Sequence, residues 1–169
     1  MNFMSKELQE AFNKAKPVLE QITQTKDQIS NEIKYLEDFL KGLAINDSFG
    51  YRIQSPFDTS SFTDCDIGEF TLAGWAVTNE ELLIWDKEKK RLMYQLIQYN
   101  ADVQFDTPNP VILDESSRKQ LILKPLIETS FEIRKKVYEQ NHLCNFLLEL
   151  TSKYQVNLKK EIDFSDIPF

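Results

Sequence analysis

The sequence predicts an α+β fold, and three observations carry that expectation. Apolar residues recur at helical spacing from Met4 to Leu43, short β-type runs follow as far as Tyr99, and helical patterning returns in the last third of the chain. The expected order is a long N-terminal amphipathic helix, an antiparallel β-meander of about four strands, C-terminal helices and a short acidic tail. This divides the chain into a coiled-coil-like amphipathic helix over 1–45, an α+β body over 46–155 and an acidic C-terminal tail over 156–169.

The first helix rests on Leu8, Phe12, Ala15, Leu19, Ile22, Ile29, Ile33, Leu36, Leu40 and Leu43. Ala15, Ile22, Ile29, Leu36 and Leu43 are seven residues apart, and Phe12, Leu19, Ile33 and Leu40 each precede a member of that series by three, with Lys26 the polar exception. Such a repeat is a coiled-coil seam, which either packs on its own domain or pairs with a second copy; a homodimer is the expectation. Pro17 has no amide hydrogen, so either the helix kinks there or a short first helix precedes a longer one starting near Lys16.

Beyond Asn46 the runs 49–54, 69–77, 82–86 and 91–99 alternate as strands do. Thr78-Asn79-Glu80 and Lys87-Glu88-Lys89-Lys90 are short enough to join antiparallel neighbours, and 55–66 reads as a long polar connection. Pro108 and Pro110 keep the next segment extended. Residues 114–123 then read as a helix, with 119–127 as the alternative of another strand. Thr129 and Glu132 have capping-box spacing ahead of a helix through Tyr138, and 141–154 makes a last helix with Leu143, Phe146, Leu147 and Leu150 inward.

Composition removes several function classes. With 41% hydrophobic residues and 12 Phe in 169, the chain can bury a core and is no disordered segment. No apolar run reaches the roughly 18–20 residues that span a bilayer, so no membrane partner is expected. The two cysteines, Cys65 and Cys144, are too few for a disulfide framework and fit a reducing, cytoplasmic location. Only 4 Gly leave no dinucleotide fingerprint. The net charge of −7 conceals a partition: residues 46–86 are strongly acidic and 87–160 mildly basic, so the overall sign does not exclude nucleic acid.

The last nine residues are Glu161-Ile-Asp-Phe-Ser-Asp-Ile-Pro-Phe169. This end resembles the C-terminal tip of bacterial single-stranded DNA-binding proteins, which is acidic and closes on Ile-Pro-Phe or Leu-Pro-Phe. Asp166, Ile167, Pro168 and Phe169 match it position by position, Asp163 and Phe164 fit its acidic and aromatic lead-in, and Ser165 stands where an aspartate is usual. A terminal Phe offers a ring to an apolar pocket and an α-carboxylate to a cation at the rim. Pro168 reduces the entropy lost on docking, Ile167 adds apolar contact, and the aspartates steer the tail to a basic surface. The resemblance implies partners that read such tips: repair helicases, single-strand exonucleases, primosome proteins and the clamp loader's chi subunit. It covers the tail alone. The body lacks the pattern of that family's oligonucleotide-binding barrel and its long Gly/Pro/Gln-rich linker, so no DNA-binding residue is carried over.

The body has its own candidates for single-stranded DNA. Base stacking needs aromatic faces beside cations. Phe70, Trp75, Trp85, Tyr94 and Tyr99 supply rings, and the turn with Lys87, Lys89, Lys90 and Arg91 supplies charge. Arg118, Lys119, Arg134, Lys135 and Lys136 read as a second, helical basic face. Catalytic patterns are weak, and no catalytic residue, cofactor or metal is assigned. His142 and Cys144 lack zinc-ligand spacing, and Asp64, Asp66 and Glu69 lack the glycine and distal Glu of a calcium loop. A metal-dependent nuclease site from Asp58 or Asp86 with Glu88 and Lys90 would need Glu88 and Lys90 on a strand, whereas they fall in a turn. The sequence therefore points to a non-enzymatic protein of DNA replication, recombination or repair that binds single-stranded DNA, uses the tip to recruit or compete for its readers, or both. The alternative is an acidic inhibitor or immunity-type module facing a basic partner.

Overall fold

The computed structural model describes residues 5–43, 45, 47–57, 62–67, 73–104 and 111–161. Ser5 accepts a hydrogen bond from the Leu8 amide at 3.3 Å and starts helix α1, Lys6–Gly42, which runs as one element with Pro17 inside it. Of the two readings of Pro17, a second helix start near Lys16 is not what forms. The seam divides. Ile29, Ile33, Leu36 and Leu40 are buried against the body, whereas Leu8, Phe12, Leu19 and Ile22 remain 40–60% exposed. Each fully buried aliphatic side chain of that inner half contributes about 1.5–3 kcal/mol, which ties the C-terminal half of α1 to the fold.

Five antiparallel strands follow: β1 (Phe49–Gln54), β2 (Phe62–Ile67), β3 (Ala73–Asp86), β4 (Arg91–Gln104) and β5 (Val111–Pro125). The sheet order is β1-β3-β4-β5, with β2 also paired to β3. Because β4 runs along the whole of β3, β1 and β2 share its other edge, β1 beside Glu81–Trp85 and β2 beside Gly74–Thr78.

Three sequence expectations change here. Thr78-Asn79-Glu80 is not a turn: β3 passes straight through it as 14 residues, with the Thr78 and Glu80 side chains satisfied by distant partners. Thr78 Oγ1 donates to the Pro56 carbonyl at 2.9 Å, and Glu80 takes both Arg52 and Tyr99. Part of the expected 55–66 connection is β2, and the 114–123 helix is instead the middle of β5, so the strand alternative holds as far as Pro125, with Leu126 and Ile127 in a 3₁₀ turn, and extends further toward the N-terminus.

After β5 a single 3₁₀ turn, Leu126–Glu128, is followed by α2 (Phe131–Glu139) and α3 (His142–Glu161). The α2 cap is Ser130, one residue beyond the expected Thr129; its hydroxyl accepts from the Ile133 amide at 3.4 Å, while Thr129 Oγ1 donates to the Leu126 carbonyl. One core joins Ile29, Ile33, Leu36 and Leu40 of α1 to Leu83, Trp85, Leu92 and Tyr94 of the sheet and to Val137, Phe146 and Leu150 of α2 and α3. Phe146 meets Phe49 edge-on at 5.3 Å.

The sheet buries opposite faces at its two ends. Cross-strand partners share a face, and the pairs Leu83–Tyr94 and Trp85–Leu92 face the helices. The pairs Ala76–Ala101, Thr78–Tyr99 and Glu80–Ile97 are buried on the other face. The parity switch falls between Glu80 and Glu81, so these adjacent acids serve different faces.

Candidate nucleic-acid and partner interface

The β3–β4 turn is fixed by Asp86. Its Oδ1 accepts from the Glu88 and Lys89 amides, both at 3.0 Å, and Oδ2 lies 3.6 Å from Lys89 Nζ. The Lys89 amide, more than any other group, holds the Asp86 carboxyl below the ordinary carboxylate range. Lys90 closes the turn with φ 52°, a left-handed conformation that favours glycine or asparagine over lysine. Lys87, Lys89 and Lys90 are thereby exposed on a defined turn. Arg91 is not free in the same way: its Nη1 is 3.1 Å from Glu128 and its Nε 3.7 Å from Glu37, so it links β4 to the 3₁₀ turn and α1.

The expected stacking surface does not assemble. Trp85 is 1% exposed, Tyr94 3% and Tyr99 7%, so none offers a ring face to a base. The reason is strand register: Trp85 and Tyr94 fall on the helix-facing side, and Tyr99 on the buried opposite face. Trp75 is 45% exposed, but it lies ten residues from Trp85 along β3, about 33 Å from it at strand rise and further still from the lysine turn. Phe70 is outside the described residues. The second basic group is not a helical face either. Arg118 and Lys119 lie on β5; Arg134 donates to the Ile127 carbonyl and Ser30 Oγ; Lys135 pairs with Glu139; Lys136 pairs with Glu81.

Where the sequence shows only aromatics and adjacent acids, the structure holds two polar networks. On the helix-facing side Glu81 Oε1 accepts from Lys136 Nζ at 2.7 Å and Oε2 from the Tyr94 hydroxyl at 2.8 Å. Burial first, and the Glu81 charge second, push the Tyr94 hydroxyl far above the ordinary phenol range. Beside them Tyr51 Oη lies 3.1 Å from His142 Nδ1, and His142 Nε2 lies 3.0 Å from Gln140 Oε1. A neutral imidazole that donates from Nε2 and accepts at Nδ1 satisfies both contacts. Burial, then the Lys136 charge, hold the His142 pKa below its ordinary 6.5. On the other face Glu80 takes Arg52 Nε and the Tyr99 hydroxyl, each at 2.9 Å. Burial and this Glu80 bond raise the Tyr99 pKa.

No family model, curated protein or solved structure matches the chain.

The remaining candidates are placed as follows. Among the described residues no group of three His, Cys, Asp or Glu is arranged to hold a metal ion. The nuclease set does not come together, because Asp86 is committed to the turn amides, Glu88 and Lys90 stand in that turn, and Asp58 lies outside the described residues. No helix is long and apolar enough to cross a membrane among the described residues. The tip residues Asp163, Phe164, Asp166, Ile167, Pro168 and Phe169 lie outside the described residues, beyond the end of α3 at Glu161.

Proposed function

We propose that this chain acts as a non-enzymatic adaptor or competitor in DNA metabolism, presenting a tip like that of single-stranded DNA-binding proteins to proteins that read such tips. The observation that carries the reading is the run Asp166-Ile167-Pro168-Phe169, preceded by Asp163 and Phe164, which begins five residues after α3 reaches Glu161. A ring and a carboxylate on one residue give two anchors to a single pocket, and the aspartates add steering that weakens with salt. The burial of three of the five named aromatics, Trp85, Tyr94 and Tyr99, leaves base stacking a smaller part than the tip.

Self-association belongs to the same proposal. From Leu8 to Ile22 the exposed half of the α1 seam keeps the heptad positions of the buried half, with Phe12, Ala15 and Leu19 between them and no charge among these positions. A seam of that period fits another helix, and a second copy supplies an identical one. The tip reading is tested by fluorescence anisotropy of a labelled Glu161–Phe169 peptide with a tip-reading single-strand exonuclease. Saturable, salt-sensitive binding is expected. The reading needs the α-carboxylate on Phe169, so a peptide carrying one extra residue after it should bind at least about tenfold more weakly.

A further inference from the structure

Where the end of α1 meets the β3–β4 turn there is a cleft of about 350 Å³. Leu40 and Ile45 supply apolar wall, Lys41, Lys87 and Lys90 supply three ammonium groups, and Glu88 is the one carboxylate among its lining residues. Trp85 also lines it. The Trp85 ring is 1% exposed, yet its Nε1 has no hydrogen-bond partner. An indole N–H is a donor and never an acceptor, and leaving it unmade in the interior is costly, so a ligand acceptor here would remove a standing penalty.

The cations are placed by the backbone. Lys41 sits in the last turn of α1 with Asp38 Oδ1 at 2.9 Å. Lys87 and Lys90 are exposed and make no ion pair with the other described residues. Lys90 also occupies a left-handed position (φ 52°) that glycine or asparagine would hold at lower cost.

We infer that this cleft binds a phosphate group, with Lys87 and Lys90 donating from the mouth, Lys41 from the α1 side and the Trp85 indole N–H from the wall. Several donors converging on a small volume suit the several acceptor oxygens of a tetrahedral oxyanion. The volume is at the low end of the roughly 300–1,000 Å³ of ligand pockets, which suits a phosphate and its first ester atoms. This site is independent of the tip: it involves none of residues 161–169, and either can fail alone.

The test follows the orphaned donor directly. Trp75 and Trp85 are the two tryptophans, so Trp75→Phe leaves Trp85 as the sole indole N–H signal in a ¹H–¹⁵N spectrum. Titration with inorganic phosphate, against sodium chloride at matched ionic strength, should shift that signal saturably. Adding Lys87→Gln and Lys90→Gln, both on the exposed turn and away from the core, should raise the midpoint by about tenfold or more. Oligo-dT with and without a 5′-phosphate separates the sources. A response only to the phosphorylated oligonucleotide and to inorganic phosphate assigns a phosphomonoester, and a response to both oligonucleotides assigns the backbone diester; either supports a phosphate site. A signal that moves equally in chloride, stays still with every phosphate probe, or titrates unchanged in the Lys87→Gln/Lys90→Gln protein overturns the inference.

Discussion

Replacing Glu81 by Gln removes one charge from the helix-facing side of the sheet while keeping shape and an acceptor oxygen. The structure sets the magnitude. Glu81 takes Lys136 Nζ at 2.7 Å and the Tyr94 hydroxyl at 2.8 Å. A hydrogen bond to a charged group is worth roughly 1.5–3 kcal/mol against about 1 for a neutral one, so making this acceptor neutral forfeits about 1–4 kcal/mol over the two bonds. The Glu81 side chain is 11% exposed and that of Lys136 36%, so the orphaned ammonium can still reach water. The full ~3–5 kcal/mol of a stranded buried charge is therefore not reached, and about 2 kcal/mol is expected for Glu81→Gln. Lys136→Met should cost about 3 kcal/mol, because the less exposed carboxylate is left with Tyr94 alone. Glu81→Leu with Lys136→Met together should recover most of the loss, since neither charge then remains. Urea unfolding reads all three; for a slope of about 2 kcal/mol/M, Glu81→Gln should lower the midpoint by about 1 M. A change below about 0.5 kcal/mol, with no coupling between the two positions in the double-mutant cycle, would show that this network does not hold α2 to the sheet.

Other outcomes follow from the same structure. Because the folded-state pKa of His142 lies below 6.5, the unfolded chain takes up the proton first. The His142 contribution to stability is therefore complete above about pH 6.5 and is lost as pH falls through the lower folded-state pKa. His142→Gln should flatten the fall in melting temperature over that acid range, and an unchanged slope would refute it. Leu19→Asp, on the exposed seam, should leave the melting temperature of the monomer unchanged while abolishing dimer in sedimentation velocity. Ile33→Asp, at a fully buried position, should cost about 4 kcal/mol or more and unfold most of the chain. A wild-type monomer at high protein concentration would remove the self-association proposal. Tyr99→Phe should leave any oligo-dT affinity within about twofold, since a buried ring cannot stack, and should lower stability by about 1 kcal/mol through the lost Glu80 bond.

The fold class was legible because long-period patterns survive in composition: the helical spacing of α1 and the alternation in β1 and β4 are read from single residues. What was not legible depended on partners distant in sequence. Thr78-Asn79-Glu80 looks like a turn until Pro56, Arg52 and Tyr99 are placed around it, and Ser116 and Ser117 in β5 give no strand signal of their own. Of the candidate DNA residues, the lysine turn was readable from its charge. The burial of Trp85, Tyr94 and Tyr99 was not, because alternation marks a ring as belonging to one face and says nothing about which faces are covered. Here both are, at opposite ends of the same strands. The orphaned Trp85 N–H has no sequence signature, as it depends on what packs around the ring in the fold.

The central claim is tested most directly by competition, with the full chain displacing a labelled authentic tip peptide of a single-stranded DNA-binding protein from a tip-reading exonuclease. Wild-type protein should displace it, less effectively as salt rises, and Asp166→Ala should compete somewhat less well with a flatter salt dependence. Deletion of Phe169 moves the carboxylate onto Pro168 and removes the ring, so displacement should be lost. Equal displacement with and without Phe169, or none by the wild-type chain, would contradict the proposal that this protein acts through its tip.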